Sequence, residues 1–94
     1  MKIQLDKERD IRLDFNALVE YEDLTGRKGF DMDNLGVKEY RALAYAGCKS
    51  AEKDFNLTIE EVGNYMYKEG LDVIGQVTNA LINDFPKSKG EKKK

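Results

Sequence analysis

Across residues 15–85 the apolar side chains recur every three or four positions, and glycine, proline and capping signals cut the run into four lengths. That period belongs to amphipathic helices that share one core. The first length spans about 16–25. Phe15, Leu18 and Val19 form its stripe, with Ala17, Tyr21 and Leu24 beside it. Asp14 is placed as an N-cap and Gly26 as a C-terminal stop. The second spans about 37–53, where Tyr40, Leu43, Ala44, Gly47 and Ala51 share a face. Its run of small residues lets another backbone come close, and Asp33 or Asn34 is expected to cap it. The third, about 58–69, has the sharpest start. Thr58-Ile59-Glu60-Glu61 is a capping box, in which hydroxyl and carboxylate each accept from the other residue's amide. The fourth, about 71–85, carries Leu71, Ile74, Val77, Leu81 and Phe85, widened by Val73, Ala80 and Ile82. Pro86 ends it.

Ahead of the helices the period changes to two. Ile3 and Leu5, then Ile11 and Leu13, flank the polar stretch Asp6-Lys7-Glu8-Arg9. This reads as a β-hairpin over 1–14 with one apolar face. A lone hairpin is marginal in water, so that face must rest on the helices or pair with another chain. The expected fold is therefore mainly α with a short N-terminal hairpin (α+β). It is a small four-helix domain over 1–86, followed by a disordered lysine-rich tail over 87–94. Phe30 and Met32 are expected to tuck under the loop between the first two helices.

A chain of 94 residues buries one small core with a thin margin of stability, which raises the expectation of self-association. The tail holds five of the sixteen basic side chains and one of the eighteen acidic ones. The body over 1–86 is left with eleven basic and seventeen acidic groups. An acidic body argues against a nucleic-acid-binding surface. No apolar run reaches the ~20 residues that span a bilayer, and the N-terminus lacks the apolar segment of a signal peptide. The expectation is a protein that stays in the compartment where it is made, with no membrane partner.

Chemistry is scarce. There is no histidine, and the single Cys48 cannot anchor a zinc site. Set in a run of small residues, it reads as a buried apolar thiol. The stretch Asp31-Met32-Asp33-Asn34-Leu35-Gly36 fails as a calcium loop, because Leu35 takes the fifth position and Ala42 the twelfth, where oxygen ligands are needed. Gly26-Arg27-Lys28-Gly29 lacks the spacing of a phosphate loop and reads as a tight turn with two exposed cations. Glu20, Glu22 and Asp23 lie on the polar side of the first helix and read as a solvated face. No nucleophile–base constellation is present, so no enzyme, cofactor or small-molecule ligand is expected.

What remains is surface. Tyr65, Met66 and Tyr67 point about 100° apart on a helix, so all three cannot enter one core. A tyrosine left outside either lies flat over its own domain or meets a partner. Tyr45 is in the same position. The candidate contact surface, toward a partner or a second copy, is Tyr45, Tyr65, Tyr67, Val73, Val77 and Ala80.

The order of these pieces resembles one family. Phe15, Leu18, Glu22, Leu24, Thr25 and Gly26 match its first motif. Tyr40, Arg41, Ala42, Leu43, Ala46 and Gly47 match the second, and Leu57, Thr58, Glu60, Glu61, Val62 and Gly63 the third. Over about residues 1–85 the chain is similar to the tail assembly chaperones of long-tailed bacteriophages and of prophages in Gram-positive bacteria. The resemblance implies a non-enzymatic protein of the host bacterial cytoplasm. Such a protein coats the tape-measure protein, keeps it soluble, recruits tail-tube subunits, assembles with itself, and is absent from the finished virion. It also implies a short form whose lysine codons suit a programmed ribosomal frameshift into a longer one; a 94-residue chain ending in lysines fits the short form. The competing expectation is a small regulatory or DNA-binding helical protein of a mobile element. The third helix offers Glu60, Glu61 and Glu69 against Lys68, a poor match to phosphates.

Overall fold

The computed structural model describes residues 1–86; the lysine-rich tail, and the expectation that it is disordered, lie outside the described residues. Within them the order is β1 (Lys2–Gln4), β2 (Glu8–Asp10), α1 (Phe15–Thr25), α2 (Val37–Ala51), α3 (Ile59–Glu69) and α4 (Asp72–Asp84). The mainly helical α+β architecture with an N-terminal hairpin is the one expected.

The hairpin is antiparallel, with Ile3 opposite Arg9 and Lys2 opposite Asp10. Its strands are shorter than the alternating pattern, yet the apolar face is the expected one. Ile3, Leu5, Ile11 and Leu13 are all buried. They rest on the helices of their own chain. The Gln4 amide donates to Gln76 Oε1 on α4 at 2.8 Å, and the Leu13 amide to Asp84 Oδ2 at 3.0 Å. Arg12 N donates to the Gly47 carbonyl on α2 at 3.0 Å. Beside Ile3, Arg9 is buried between Asp6 and Glu52, with Nη1 2.8 Å from Glu52 Oε1 and Nη2 2.7 Å from Asp6 Oδ2. Its guanidinium also lies 5.2 Å from the Phe55 ring centroid.

α2 is the central helix. Ala42, Leu43, Ala44, Ala46, Gly47 and Cys48 are buried nearly all round, because α1, α3, α4 and the hairpin each cover one side. Small side chains are what allow four neighbours to approach one helix. Cys48 is fully buried, and burial pushes its thiol pKa up to about 12. α2 stops at Ala51, two residues before the expected end. There the Glu52 carboxylate turns to the hairpin and accepts from Arg9 and from the Asp10 amide.

The caps of α1 and α3 are those expected. Asp14 Oδ1 accepts from Ala17 N at 3.0 Å, and Gly26 ends the helix in the left-handed region at φ 76°. Thr58 and Glu61 close the capping box at 3.1 and 2.8 Å. α2 is capped differently from the expectation. Neither Asp33 nor Asn34 caps it; Gly36 holds the N-cap position, and Glu39 reaches back to accept from its amide at 2.8 Å.

The stripe of α1 also needs correction. Ala17, Leu18 and Tyr21 face inward, whereas Phe15 and Val19 are exposed. The loop does not cover Phe30, which is 68% exposed. Instead Phe30 bridges Phe15 and Phe85, edge-on to each, with centroids 6.1 and 5.8 Å apart. On α4, Val73, Val77 and Ala80 turn fully into the core, while Ile82 and the N-cap residue Leu71 point outward.

Candidate functional site

The loop after α1 is fixed by one cation. Arg27 donates to the carbonyls of Asp31, Asp33 and Asn34, and lies 3.4 Å from Glu39 Oε2. It is therefore a clamp, not the exposed cation of a tight turn. Glu22, expected on a solvated face, accepts from the Gly29 amide at 2.6 Å and pins the other side of the turn. Glu20 lies 3.4 Å from Lys49. These contacts deliver Leu35, Gly36 and Val37 to the edge of α3.

Between that loop, the start of α2, the middle of α3 and the α3–α4 turn lies a groove of about 570 Å³. Met66 and Val73 form its buried floor. Val37, Tyr67 and Leu71 stand on its rim at 86, 89 and 87% exposure. Tyr40 and Ile74, both half-buried, line the sides. Three large apolar rim residues so exposed, and contiguous, are unusual on a surface that needs to meet only water. Gly70, at φ 79°, ends α3 and turns the chain toward α4, and Tyr67 and Leu71 to either side of it both line the groove.

One charged residue enters this apolar site. Arg41 lines the groove, and its stem passes over Gly63, where an added Cβ would come within 2.9 Å of Arg41 Cδ. The absence of a side chain at position 63 is what lets Arg41 lie along the groove. Its Nε is buried without a hydrogen-bond partner among the described residues.

The six residues nominated from sequence scatter. Tyr67 and Val73 meet in the groove, as rim and floor. Val73, Val77 and Ala80 are 1, 0 and 0% exposed, so they belong to the domain's own core and offer no free surface. The apolar face of α4 is wide because it serves α2 and the hairpin together, not because it awaits a partner. Tyr65 is half-buried against the core. Tyr45 lies on another face, edge-on to Phe55 at 6.0 Å, with Lys49 Nζ 5.6 Å above its ring. Sequence reasoning did not single out Val37 or Arg41 as groove residues. An apolar residue just after a glycine, and an arginine directly ahead of the small-residue run that begins at Ala42, were the available signals.

A second apolar surface is formed by the exposed Phe15 and Phe30 with the half-buried Phe85, where α1 begins and α4 ends. Among the described residues no helix is long and apolar enough to cross a membrane. Comparison of the chain with family models, with curated proteins and with solved structures finds no match in any of the three.

Proposed function

We propose that this chain is a non-enzymatic tail assembly chaperone. It holds an apolar helical segment of a tape-measure protein in the groove, keeps that protein soluble in the host bacterial cytoplasm, and recruits tail-tube subunits before leaving the assembly. The observation that carries this reading is the groove rim. Val37, Tyr67 and Leu71 form an open apolar edge between helices, the shape that accepts an amphipathic helix through spaced apolar anchors. The resemblance supports it from a second side, because two of the residues that carry it, Arg41 and Gly63, meet in that groove. The Phe15–Phe30–Phe85 surface is the proposed site of self-association, which leaves the groove free for the tape measure.

The test is co-expression with a tape-measure protein. Capture of a soluble complex supports the reading. Its loss in the double variant Tyr67→Ser, Leu71→Ser places the contact in the groove. A tape-measure protein that is equally soluble without this chain, and does not co-purify with it, overturns the proposal. Expression of the gene with its downstream DNA adds an independent check, since a minor longer product sharing the N-terminus is the family's implied frameshift form.

A further inference from the structure

Four arginines lie in the chain, and three of them meet a carboxylate. Arg9 pairs with Asp6 and Glu52, Arg12 with Asp14, and Arg27 with Asp31 and Glu39. Arg41 has no carboxylate partner among the described residues, and its Nε is buried with no hydrogen bond. It also lies where the surroundings are Met66, Val73, Ile74 and the exposed rim. An unsatisfied donor on a charged group is costly to bury. Its stem is held by contact with Gly63, so the guanidinium cannot leave the groove without losing packing.

We propose that the groove selects an apolar helical segment carrying one carboxylate among its apolar side chains, and that Arg41 pairs with that carboxylate. This rests on the reading of the groove as a helix-binding site. A planar guanidinium accepts a carboxylate through two parallel hydrogen bonds, a geometry that an ammonium cannot copy. Apolar walls that close over the pair exclude water and strengthen it relative to an exposed pair. The same walls make the pairing selective. A wholly apolar helix seated here would strip water from Arg41 and return nothing, so it is rejected by the charge it leaves unpaired.

The test uses the full chain and three designed peptides, each about 18 residues long so that a helix can form. All carry the same leucine stripe; the central stripe position holds Glu, Gln or Lys. Titration calorimetry is expected to show the Glu peptide binding at least about tenfold tighter than the Gln peptide. Arg41→Met should erase that difference while keeping the stem, and Arg41→Glu should shift the preference to the Lys peptide. Should Arg41→Met fail to fold, Arg41→Lys, which keeps the charge but not the fork, is expected to lose most of the Glu preference. Equal binding of the Glu and Gln peptides, no binding of either, or a Glu preference that survives Arg41→Met each overturns the inference. The tape-measure reading stands or falls separately. Capture of the tape measure without a Glu preference overturns only the role of Arg41, and a Glu preference without capture overturns only the tape-measure assignment.

Discussion

Ile11 packs its Cγ1 directly over the α-carbon of Gly47, so that a Cβ at position 47 would overlap it and would lie 3.1 Å from Leu13 Cδ2. The exit of the hairpin and the middle of α2 thus share a space in which only hydrogen fits. Gly47→Ala is expected to destabilise the domain by about 1–3 kcal/mol, although alanine is the better helix former. Urea unfolding of the two proteins measures it, and a neutral or stabilising result would mean that the hairpin is not seated on α2 as described.

The hairpin's other anchor is ionic. Arg9→Gln leaves Asp6 and Glu52 facing each other with their neutralising partner gone. Because those side chains keep 25 and 20% exposure, the expected cost is about 2 kcal/mol, below that of a fully buried pair. The loss should appear as a lower denaturation midpoint at pH ~7 with an unchanged slope.

Acid should act through the same contacts. Hydrogen bonding from Arg9 holds the Asp6 carboxyl below its ordinary value. Burial works against ionisation of Asp14, but the Ala17 amide and the Ser50 hydroxyl hold it low as well. Depressed carboxylates contribute stability at neutral pH, present above the unfolded value near ~4 and lost as pH falls through the folded values. Stability is therefore expected to hold down to about pH 4 and to decline below it. In Arg9→Gln the decline should be shallower; an identical acid limb would remove Asp6 from the account.

At the start of α4, two positions only two residues apart separate folding from binding. A charge at Val73 enters the core, and Val73→Asp should unfold a domain of this size, at a cost of ~3 kcal/mol or more. Leu71→Ser, at a residue 87% exposed, should leave the thermal midpoint within ~3 °C while weakening capture of the groove's partner. Circular dichroism melts beside pull-downs distinguish the two. A large thermal loss in Leu71→Ser would turn the groove rim into part of the fold.

Self-association is assigned to the aromatic trio. Phe30→Ser removes its central ring, 68% exposed, and should shift sedimentation toward the monomer without changing peptide binding in the groove. An unchanged sedimentation profile would move the self-contact elsewhere.

Local signals in the sequence matched local structure closely. The two-residue period placed Ile3, Leu5, Ile11 and Leu13 on one face, and Thr58 with Glu61 marked the start of α3, because each depends on neighbours a few residues away. What could not be read locally was settled by contacts across the chain. Phe15 and Val19 have the spacing of a core stripe, but α2 meets α1 on the Leu18–Tyr21 side. Arg27 looked free because its partners are backbone carbonyls of a loop whose path the sequence does not announce. The groove gathers residues near 37, 63 and 71, and no periodicity within one helix reports such a meeting. Val73, Val77 and Ala80 have the sequence pattern of spare apolar surface because a helix covered by both α2 and a hairpin carries the same stripe as one awaiting a partner.

The two amides that tie Gln4 to Gln76 and Leu13 to Asp84 have a consequence for how the molecule is made. A ribosome releases the hairpin before α4, so the hairpin waits for the last of its partners. Until α4 emerges, Ile3 and Leu13 have only part of their cover, and the edge of the hairpin stays open to other chains. Closure of the domain is in this sense a signal that translation has passed residue 84, written into the fold by joining its beginning to its end.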